Sequence, residues 1–182
     1  MAILKTGLVQ VYTGDGKGKT TAALGLAWRM IGAGGKVYIC QFLKRGDIVT
    51  GESRFIGQLS GRIVLEQLEA EWDMRNSFDS AEQVAFVQKA ISQKLKYIQQ
   101  ISQQGNYDMI ILDEIVFCLS KKLARWDDVL AIIQGRDKGV ELVLTGRGAD
   151  ERLLACADLV TEMREIKHPY QHGVAGRCGI EF

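Results

Sequence analysis

The chain has 182 residues, of which 47% are hydrophobic and 25% charged, and its formal net charge is +1. This balance is typical of a folded globular protein of one domain, residues 1–182, and argues against a disordered or membrane-embedded chain. Nucleic-acid binding is disfavoured as well, because it usually requires a clustered basic surface.

Residues 1–7 hold one lysine and a very short apolar run, so we expect neither a signal peptide nor a membrane span there. Further along, short apolar runs rich in β-branched residues alternate with helical patterns, as in parallel βαβ units. The run 109–112 is apolar throughout, which favours the centre of a sheet covered by helices on both faces. The predicted strands are residues 8–12, 37–42, 63–67, 109–113, 140–145 and 159–161.

Four helices are predicted between these strands. The clearest begins at Ser80, where Ser80-Ala-Glu-Gln83 has the form of a capping box, and ends near Gly105. The others cover residues 19–31, 126–133 and 150–157. Two polar segments without periodicity, residues 43–54 and 69–79, stay unassigned, and loops of that length often bind substrate. The apolar positions of the clearest helix are predicted to be core: Val84, Val87, Ile91, Leu95 and Ile98.

A glycine-rich loop joins the first strand to the first helix and is the strongest chemical signal. Backbone N–H groups of such a loop, together with the helix N-terminus, can surround phosphate oxygens. Lys19 would reach the terminal phosphates, and the Thr20 hydroxyl would bind Mg²⁺. Two alternatives are a surface turn rich in glycine by chance and a dinucleotide-binding turn, although lysines inside the loop suit a triphosphate better. The predicted nucleotide-binding residues are Thr13, Gly14, Asp15, Gly16, Lys17, Gly18, Lys19, Thr20 and Thr21.

Two carboxylates follow the apolar strand 109–112. In P-loop proteins, carboxylates at such a strand end hold the metal, so Asp113 is expected to bind Mg²⁺ through water. Glu114 would either bind the metal or activate a nucleophile. The alternative is that the pair only caps the following helix.

Arg147 and two histidines are further candidates. Arg147 follows the strand 140–145 and would lie at the edge of the sheet where ligands gather, although an exposed arginine without a role fits the local sequence equally well. His168 and His172 lie four residues apart, but Pro169 argues against one continuous helix and so against a metal-binding pair.

The four cysteines lack the Cys-x-x-Cys spacing of zinc sites or redox motifs, and no disulfide framework is indicated. They are Cys40, Cys118, Cys156 and Cys178. Reduced thiols and the absence of an export signal predict a cytoplasmic protein.

Six motifs, in order along nearly the whole chain, resemble the P-loop family of ATP:corrinoid adenosyltransferases. The loop has Thr13 where the common P-loop has its first glycine, which is typical of that family. The resemblance implies a P-loop NTPase-like (RecA-like) three-layer α/β/α fold around a mostly parallel sheet of about six strands. The motifs are the loop 13–21, Gln41-Phe-Leu-Lys44, Leu112-Asp-Glu114, Thr145-Gly-Arg-Gly148, Lys167-His168 and Gly179-Ile-Glu-Phe182.

The resemblance also implies a reaction. In this family the Co(I) of a corrinoid attacks C5′ of ATP, which forms a cobalt–carbon bond and expels triphosphate in adenosylcobalamin biosynthesis or salvage. Lys19 and Glu114 would be the catalytic residues, and Thr20 and Glu114 the Mg²⁺ ligands with support from Asp113. ATP and the corrinoid would be the substrates, a reduced flavoprotein the electron donor and a homodimer the assembly.

Corrinoid contacts are implied for Trp72, Lys167 and His168. The family pattern Gly-Phe-Thr-Trp reads Glu69-Ala-Glu-Trp72 here, so Ala70 replaces a bulky phenylalanine that helps to displace the lower cobalt ligand. Trp72 packed on the sheet is the alternative. Some relatives carry a longer N-terminal extension that covers the site in a dimer.

Two other functions fit the glycine loop by itself. A P-loop ATPase or kinase would cleave the γ-phosphate, with Glu114 positioning the attacking group. A non-catalytic carrier would bind nucleotide or corrinoid and pass it on.

Overall fold

The computed structural model describes residues 3–43, 50–56, 61–68 and 80–181. A six-stranded sheet, in which every pair of neighbouring strands is parallel, has the order β3-β2-β4-β5-β1-β6. The strands are β1 (Val9–Thr13), β2 (Val37–Gln41), β3 (Ile63–Gln67), β4 (Met109–Asp113), β5 (Glu141–Thr145) and β6 (Leu159–Glu162).

All six predicted strands are confirmed, with boundaries that differ by no more than one residue. The central position of the run 109–112 is confirmed too, because β4 lies between β2 and β5 and each of its five residues is buried. A strand that is covered on both faces is apolar at every position, and this continuous apolar run makes it recognisable in the sequence.

The helices are α1 (Lys19–Gly32), α2 (Gly51–Ile56), α3 (Ala81–Gln103), α4 (Ile115–Ser120), α5 (Trp126–Gly135) and α6 (Glu151–Cys156), and a 3₁₀ turn covers Pro169–His172. The four predicted helices correspond to α1, α3, α5 and α6. The Ser80 side chain caps α3 by accepting a hydrogen bond from the Gln83 amide at 3.2 Å, as its sequence predicts.

Two helices were not predicted, and both have six residues. α2 begins inside the unassigned segment 43–54, so the end of that segment is helical rather than a loop. α4 follows β4 directly. Residues 44–49 of the first unassigned segment and the whole of 69–79 lie outside the described residues.

The core forms one layer on each face of the sheet, because alternate side chains of a strand point to opposite faces. On β4, Ile110 and Leu112 pack into a cluster with residues of α3 and α5, whereas Met109 and Ile111 pack into a second cluster with α1. The result is a three-layer α/β/α fold, as predicted. In the part of the chain that the structure describes, no helix has both the length and the apolar character needed to cross a membrane.

Parallel strands bring their carboxyl ends to one edge of the sheet. The register pairs Tyr12 with Thr145 and pairs Gln41 with both Asp113 and Gln67. Polar residues that end four different strands therefore gather along this edge, which in open α/β sheets is where ligands bind.

Candidate active site

The glycine loop connects β1 to α1, as predicted. Lys19 begins the helix, is only 7% exposed, and folds back over the loop, where its ammonium donates to the carbonyl oxygens of Gly14 and Gly16 at 2.6 and 2.7 Å. Gly18 has φ of 117°, a conformation that a side chain would strain. The loop therefore places a nearly buried cation at a helix N-terminus, which is suited to binding an anion.

The surroundings of Lys19 shift the pKa of its ammonium group. Burial lowers the pKa of Lys19 below its usual value, and the nearby guanidinium of Arg147 lowers it further, against the opposing effect of Glu114, Asp15 and Asp113. The Arg147 Nε lies 4.0 Å from the Asp15 carboxylate, although both side chains are largely exposed. The structure thus brings Arg147 beside the glycine loop, at the edge where the sequence places it.

A strap of residues 162–164, at and just beyond the end of β6, braces the loop from the other side. The Met163 amide donates to the Thr13 carbonyl at 2.8 Å, and the Met163 carbonyl accepts from the Gly16 amide at 2.7 Å. A Cβ on Gly16 would lie 2.7 Å from the Met163 oxygen and 2.8 Å from backbone atoms of Arg164. This contact was not predicted, because nothing in the local sequence links residue 16 to residue 163.

Asp113 ends β4 beside the first turn of α1. Its carboxylate is 2% exposed, and the same oxygen accepts hydrogen bonds from the Thr20 hydroxyl at 2.8 Å and the Thr145 hydroxyl at 2.7 Å. Burial of a carboxylate is costly unless it is hydrogen-bonded, and these donors stabilise it. The predicted proximity of Thr20 and Asp113 is therefore present in the structure.

Glu114 follows with φ of 67°, which is unusual for a residue that has a side chain. Its amide donates to the Thr145 hydroxyl at 3.0 Å, and the residue stands at the N-cap position of α4 without a side-chain capping hydrogen bond. Thr145 therefore holds both carboxylate residues: its hydroxyl donates to Asp113 and accepts from the Glu114 backbone. This role of Thr145 was not predicted, because it depends on a strand register that the sequence does not reveal.

Hydroxyl and carboxylate oxygens of this kind fit Mg²⁺, which prefers hard oxygen ligands. The Thr20 hydroxyl gives its proton to Asp113 and keeps oxygen lone pairs for a cation. Among the described residues, no group of three or more His, Cys, Asp or Glu side chains is arranged to hold a metal. A Mg²⁺ ion here would fit as a partner of bound phosphates and water rather than in a cage of protein ligands.

A buried amide extends the site toward β3. Gln41 is fully buried at the end of β2, and its side-chain nitrogen lies 3.3 Å from the second Asp113 oxygen and 3.2 Å from the Glu52 carboxylate of α2. The side-chain amide of Gln67, at the end of β3, donates to the side-chain oxygen of Gln41 at 3.1 Å. The sequence signal for this group is a glutamine at the end of an apolar strand, which by itself does not reveal the buried hydrogen bonds.

An open cavity of about 940 Å³ lies beyond Gln67, between α2, β3 and α3. Its wall combines apolar side chains with amide and charged groups. The lining residues include Ser53, Ile56, Gln67, Leu68, Gln93 and Lys94.

Four further candidates lie among the described residues: Lys17, Thr21, Lys167 and His168. Lys17 pairs with Glu181 near the C-terminus at 2.8 Å, and Thr21 is exposed in the first turn of α1. Lys167 is exposed, while His168 Nδ1 accepts from the Tyr170 amide and so caps the 3₁₀ turn. Trp72 and Ala70 lie outside the described residues.

Comparison with known proteins identifies the family of this chain. Residues 5–182 match the family model described as ATP:corrinoid adenosyltransferase BtuR/CobO/CobP. The chain is 35% identical over 177 residues to a corrinoid adenosyltransferase of Sinorhizobium sp., covering 97% of this chain and 80% of that protein. It is 33% identical over 180 residues to the one of Pseudomonas aeruginosa (97% and 84%) and 30% identical over 177 residues to the one of Escherichia coli K12 (97% and 86%).

The fold has a counterpart among solved structures. A KaiC-like protein of Pyrococcus horikoshii OT3 superposes with a TM-score of 0.54 at 16% identity, over 89% of this chain and 75% of that one. At this identity the likeness concerns the fold alone, and it confirms the predicted three-layer α/β/α fold. With a family match over nearly the whole chain, the protein belongs to the ATP:corrinoid adenosyltransferase family and is a corrinoid adenosyltransferase.

Proposed function

We propose that this enzyme transfers the 5′-deoxyadenosyl group of ATP to the Co(I) of a corrinoid and releases triphosphate. The cobalt electron pair forms a bond to C5′, and the C5′–oxygen bond breaks with its electron pair remaining on the triphosphate. The observation that carries the proposal is the convergence of Lys19, Thr20 and Asp113 at one strand edge in a chain of this family.

The glycine loop would hold the triphosphate. Lys19 supplies a cation, and the N-terminus of α1 supplies partial positive charge. The Gly16 amide is directed to the Met163 carbonyl, so we assign to Gly16 the close approach of the strap rather than a phosphate contact. Amides of the other loop residues would donate to phosphate, and Arg147, beside Lys19, would provide a second cation.

Mg²⁺ would be held by Thr20 and Glu114 with support from Asp113. When bound, the ion neutralises charge on the triphosphate that leaves. Asp113 keeps the Thr20 hydroxyl oriented, and Thr145 fixes both Asp113 and the backbone of Glu114. No side chain needs to act as a strong base, because Co(I) is already nucleophilic, and the residues contribute by alignment and charge stabilisation.

The corrinoid would lie over the same edge of the sheet, within reach of C5′. We propose Trp72, Lys167 and His168 as its contacts, from the family resemblance alone. A reduced flavoprotein as electron donor, assembly as a homodimer and a cytoplasmic location remain predictions, and light scattering of the purified protein measures its assembly directly.

The test is an anaerobic reaction of purified protein with ATP, Mg²⁺ and chemically reduced cob(I)alamin. We expect inorganic triphosphate together with a light-sensitive cobalt–carbon bond, in equal amounts. ADP and phosphate would instead indicate cleavage at the γ-phosphate, and tight binding without turnover would indicate a carrier. Comparing cobalamin, cobinamide and cobyrinic acid a,c-diamide by kcat/KM identifies the preferred acceptor.

A further inference from the structure

The chain that follows β6 contacts the glycine loop twice, once at each end. The Met163 carbonyl accepts from the Gly16 amide at 2.7 Å, and the Glu181 carboxylate accepts from the Lys17 ammonium at 2.8 Å. Gly16 and Lys17 are neighbours in the sequence, so residues 163–181 leave the glycine loop and return to it. We call residues 163–181 the C-terminal clasp.

Glu181 is oriented by a second cation within the clasp. Its two carboxylate oxygens accept from the Arg177 guanidinium at 3.2 and 3.0 Å, and one of them also accepts from the Arg177 amide at 2.7 Å. Arg177, and after it Lys17, hold the pKa of Glu181 well below its ordinary value, so the carboxylate is ionised at neutral pH. Arg177 thus directs an ionised carboxylate toward the glycine loop.

Lys17 and Lys19 have different partners, although only one residue separates them. Lys19 donates to carbonyl oxygens of the loop itself, whereas Lys17 donates to Glu181. Two ammonium groups that lay close together would lower each other's pKa. Burial has the largest effect on the pKa of Lys19, and the charged groups that act on it further are Arg147, Glu114, Asp15 and Asp113. Lys17 is not among them, which separates it from the cation that we place on the triphosphate.

The glycine loop has to hold an unusual backbone conformation to surround an anion. Gly14 and Gly18 have φ of 89° and 117°, and glycine loses more conformational freedom on ordering than any other residue. A ligand that must order the loop binds more weakly, because the ordering offsets part of the binding free energy. A second tie at Lys17, beside the tie at Gly16, therefore prepares the loop for an anion.

We infer that Lys17 and Glu181 are positioning residues: their ion pair fastens the C-terminal clasp to the glycine loop, and the closed clasp favours the loop conformation that binds triphosphate. This inference rests on the proposed function, since it takes the loop as the triphosphate site. It gives Lys17 a task other than the phosphate contact expected from the sequence. The coupling is reciprocal, so bound triphosphate also favours the closed clasp.

The experiment is calorimetric titration of inorganic tripolyphosphate, and of Mg·ATP, into the full chain and into Lys17→Gln and Glu181→Gln. Each variant breaks the ion pair and should bind both ligands about two- to fivefold more weakly, which is the range that an ion pair at the surface can supply. The double variant should bind no more weakly than either single variant, because both substitutions remove the same contact. Lys17→Arg keeps the cation and should recover most of the affinity.

The Glu181→Gln variant separates the clasp from a direct contact between Lys17 and phosphate. Removal of a negative charge beside the loop by itself favours an anion. If Lys17 bound phosphate, the loss of Glu181 would free it and tripolyphosphate would bind more tightly, whereas a positioning role predicts weaker binding. The matched control is Glu165→Gln, which removes a carboxylate of the same clasp that accepts from Gln171, and it should keep the wild-type Kd.

Proteolysis measures the clasp without any ligand. Trypsin cleaves after Lys167, an exposed residue of the clasp, and the rate of cleavage tracks the fraction of molecules in which this segment is open. Lys17→Gln and Glu181→Gln should raise the rate of this cleavage by similar factors. Tripolyphosphate should lower the rate in the wild-type protein more than in either variant.

The outcomes separate the two proposals. Failure to form the adenosylated product overturns the proposed function, whereas the Kd values and the cleavage rates decide the clasp. A wild-type protein that binds no tripolyphosphate overturns both. Tighter or unchanged binding of tripolyphosphate by Glu181→Gln refutes the clasp, and so do wild-type cleavage rates in both variants. Weaker binding in both single variants, no further loss in the double variant and faster cleavage together support it.

Discussion

At the scale of single residues, the site depends on how two buried charges are stabilised. Lys19 donates to the carbonyl oxygens of its own loop, and Asp113 accepts from the hydroxyls of Thr20 and Thr145. Neither charge is the direct partner of the other in these hydrogen bonds. In these hydrogen bonds the partners are neutral dipoles, which hold both groups in position.

Lys19→Met removes the ammonium and retains the length of the side chain. We expect Mg·ATP affinity to fall at least tenfold, because a hydrogen bond to a charged group contributes about 1.5–3 kcal/mol. Calorimetric titration measures the affinity, and circular dichroism checks that the fold is retained. Lys36→Met is the control and should bind Mg·ATP as the wild-type protein does, because Lys36 precedes β2 and so lies at the amino ends of the strands. Equal affinity in the two variants would contradict the role of Lys19.

Thr145→Val tests the hydroxyl that serves Asp113 and Glu114 together. The side chain is fully buried, so valine fits the space but leaves the Glu114 amide without its acceptor and Asp113 without one donor. We expect a loss of about 1–3 kcal/mol in the free energy of unfolding, measured in urea, and weaker Mg·ATP binding. Thr145→Ser restores the hydroxyl and should recover most of the lost stability and most of the lost Mg·ATP affinity. If serine and valine behave alike, packing of the methyl group and not the hydroxyl matters at this position.

At the scale of elements, local sequence patterns indicate the six strands and four of the six helices, but they do not indicate how these elements contact one another. The buried strands are readable because they are apolar on both faces, and α3 is readable because Ser80 and the apolar stripe mark its start and its inner side. α2 and α4 have six residues each, which is too short for helical periodicity to stand out. α6 is equally short, but the capping residue Asp150 marks its start. The contacts of Gln41, Thr145 and Met163 depend on strand register and on distant chain segments, and local patterns carry no such information.

The strap across the glycine loop gives a test at this scale. Gly16→Ala would place a Cβ 2.7–2.8 Å from backbone atoms of Met163 and Arg164, which cannot move away as a flexible side chain would. We expect a lower melting temperature and weaker Mg·ATP binding, because the loop must shift from β6. Gly25→Ala is the matched control: it lies within α1 with nothing within 4 Å of the added Cβ. That variant should be as stable as the wild-type protein or more stable by up to about 1 kcal/mol.

At the scale of the whole molecule, the sheet order places the glycine loop and the cavity on different strands. β1 carries the loop next to β5 and β6, whereas β3, which borders the cavity, lies at the other edge of the sheet beyond β4 and β2. The polar strand ends between them, Thr145, Asp113, Gln41 and Gln67, form a continuous series of hydrogen-bonded side chains. The fold thereby links the region that would hold ATP to a region large enough for part of a second substrate.

A second polar group attaches the cavity wall to the core of the molecule. The Glu66 carboxylate of β3 accepts from the Tyr38 hydroxyl at 2.6 Å and from the Lys94 ammonium of α3 at 2.8 Å. Burial by itself would raise the pKa of Glu66, but these two hydrogen bonds outweigh it and hold the pKa below its ordinary value of 4.5. Three elements, β2, β3 and α3, therefore share one ionised carboxylate.

The lowered pKa of Glu66 makes the stability of the protein depend on pH in a defined direction. Its stabilising contribution is complete above the unfolded-state pKa of 4.5 and is lost as the pH falls from there through the lower folded-state pKa. The free energy of unfolding should therefore differ between the wild-type protein and Glu66→Gln at pH 7, and the difference should shrink as the pH falls toward about 3. Lys94→Met removes the cation of the same pair and should reproduce this trend in urea unfolding. A difference that stays constant over this range would mean that the ionised carboxylate does not secure β3, and with it the cavity wall, to the rest of the sheet.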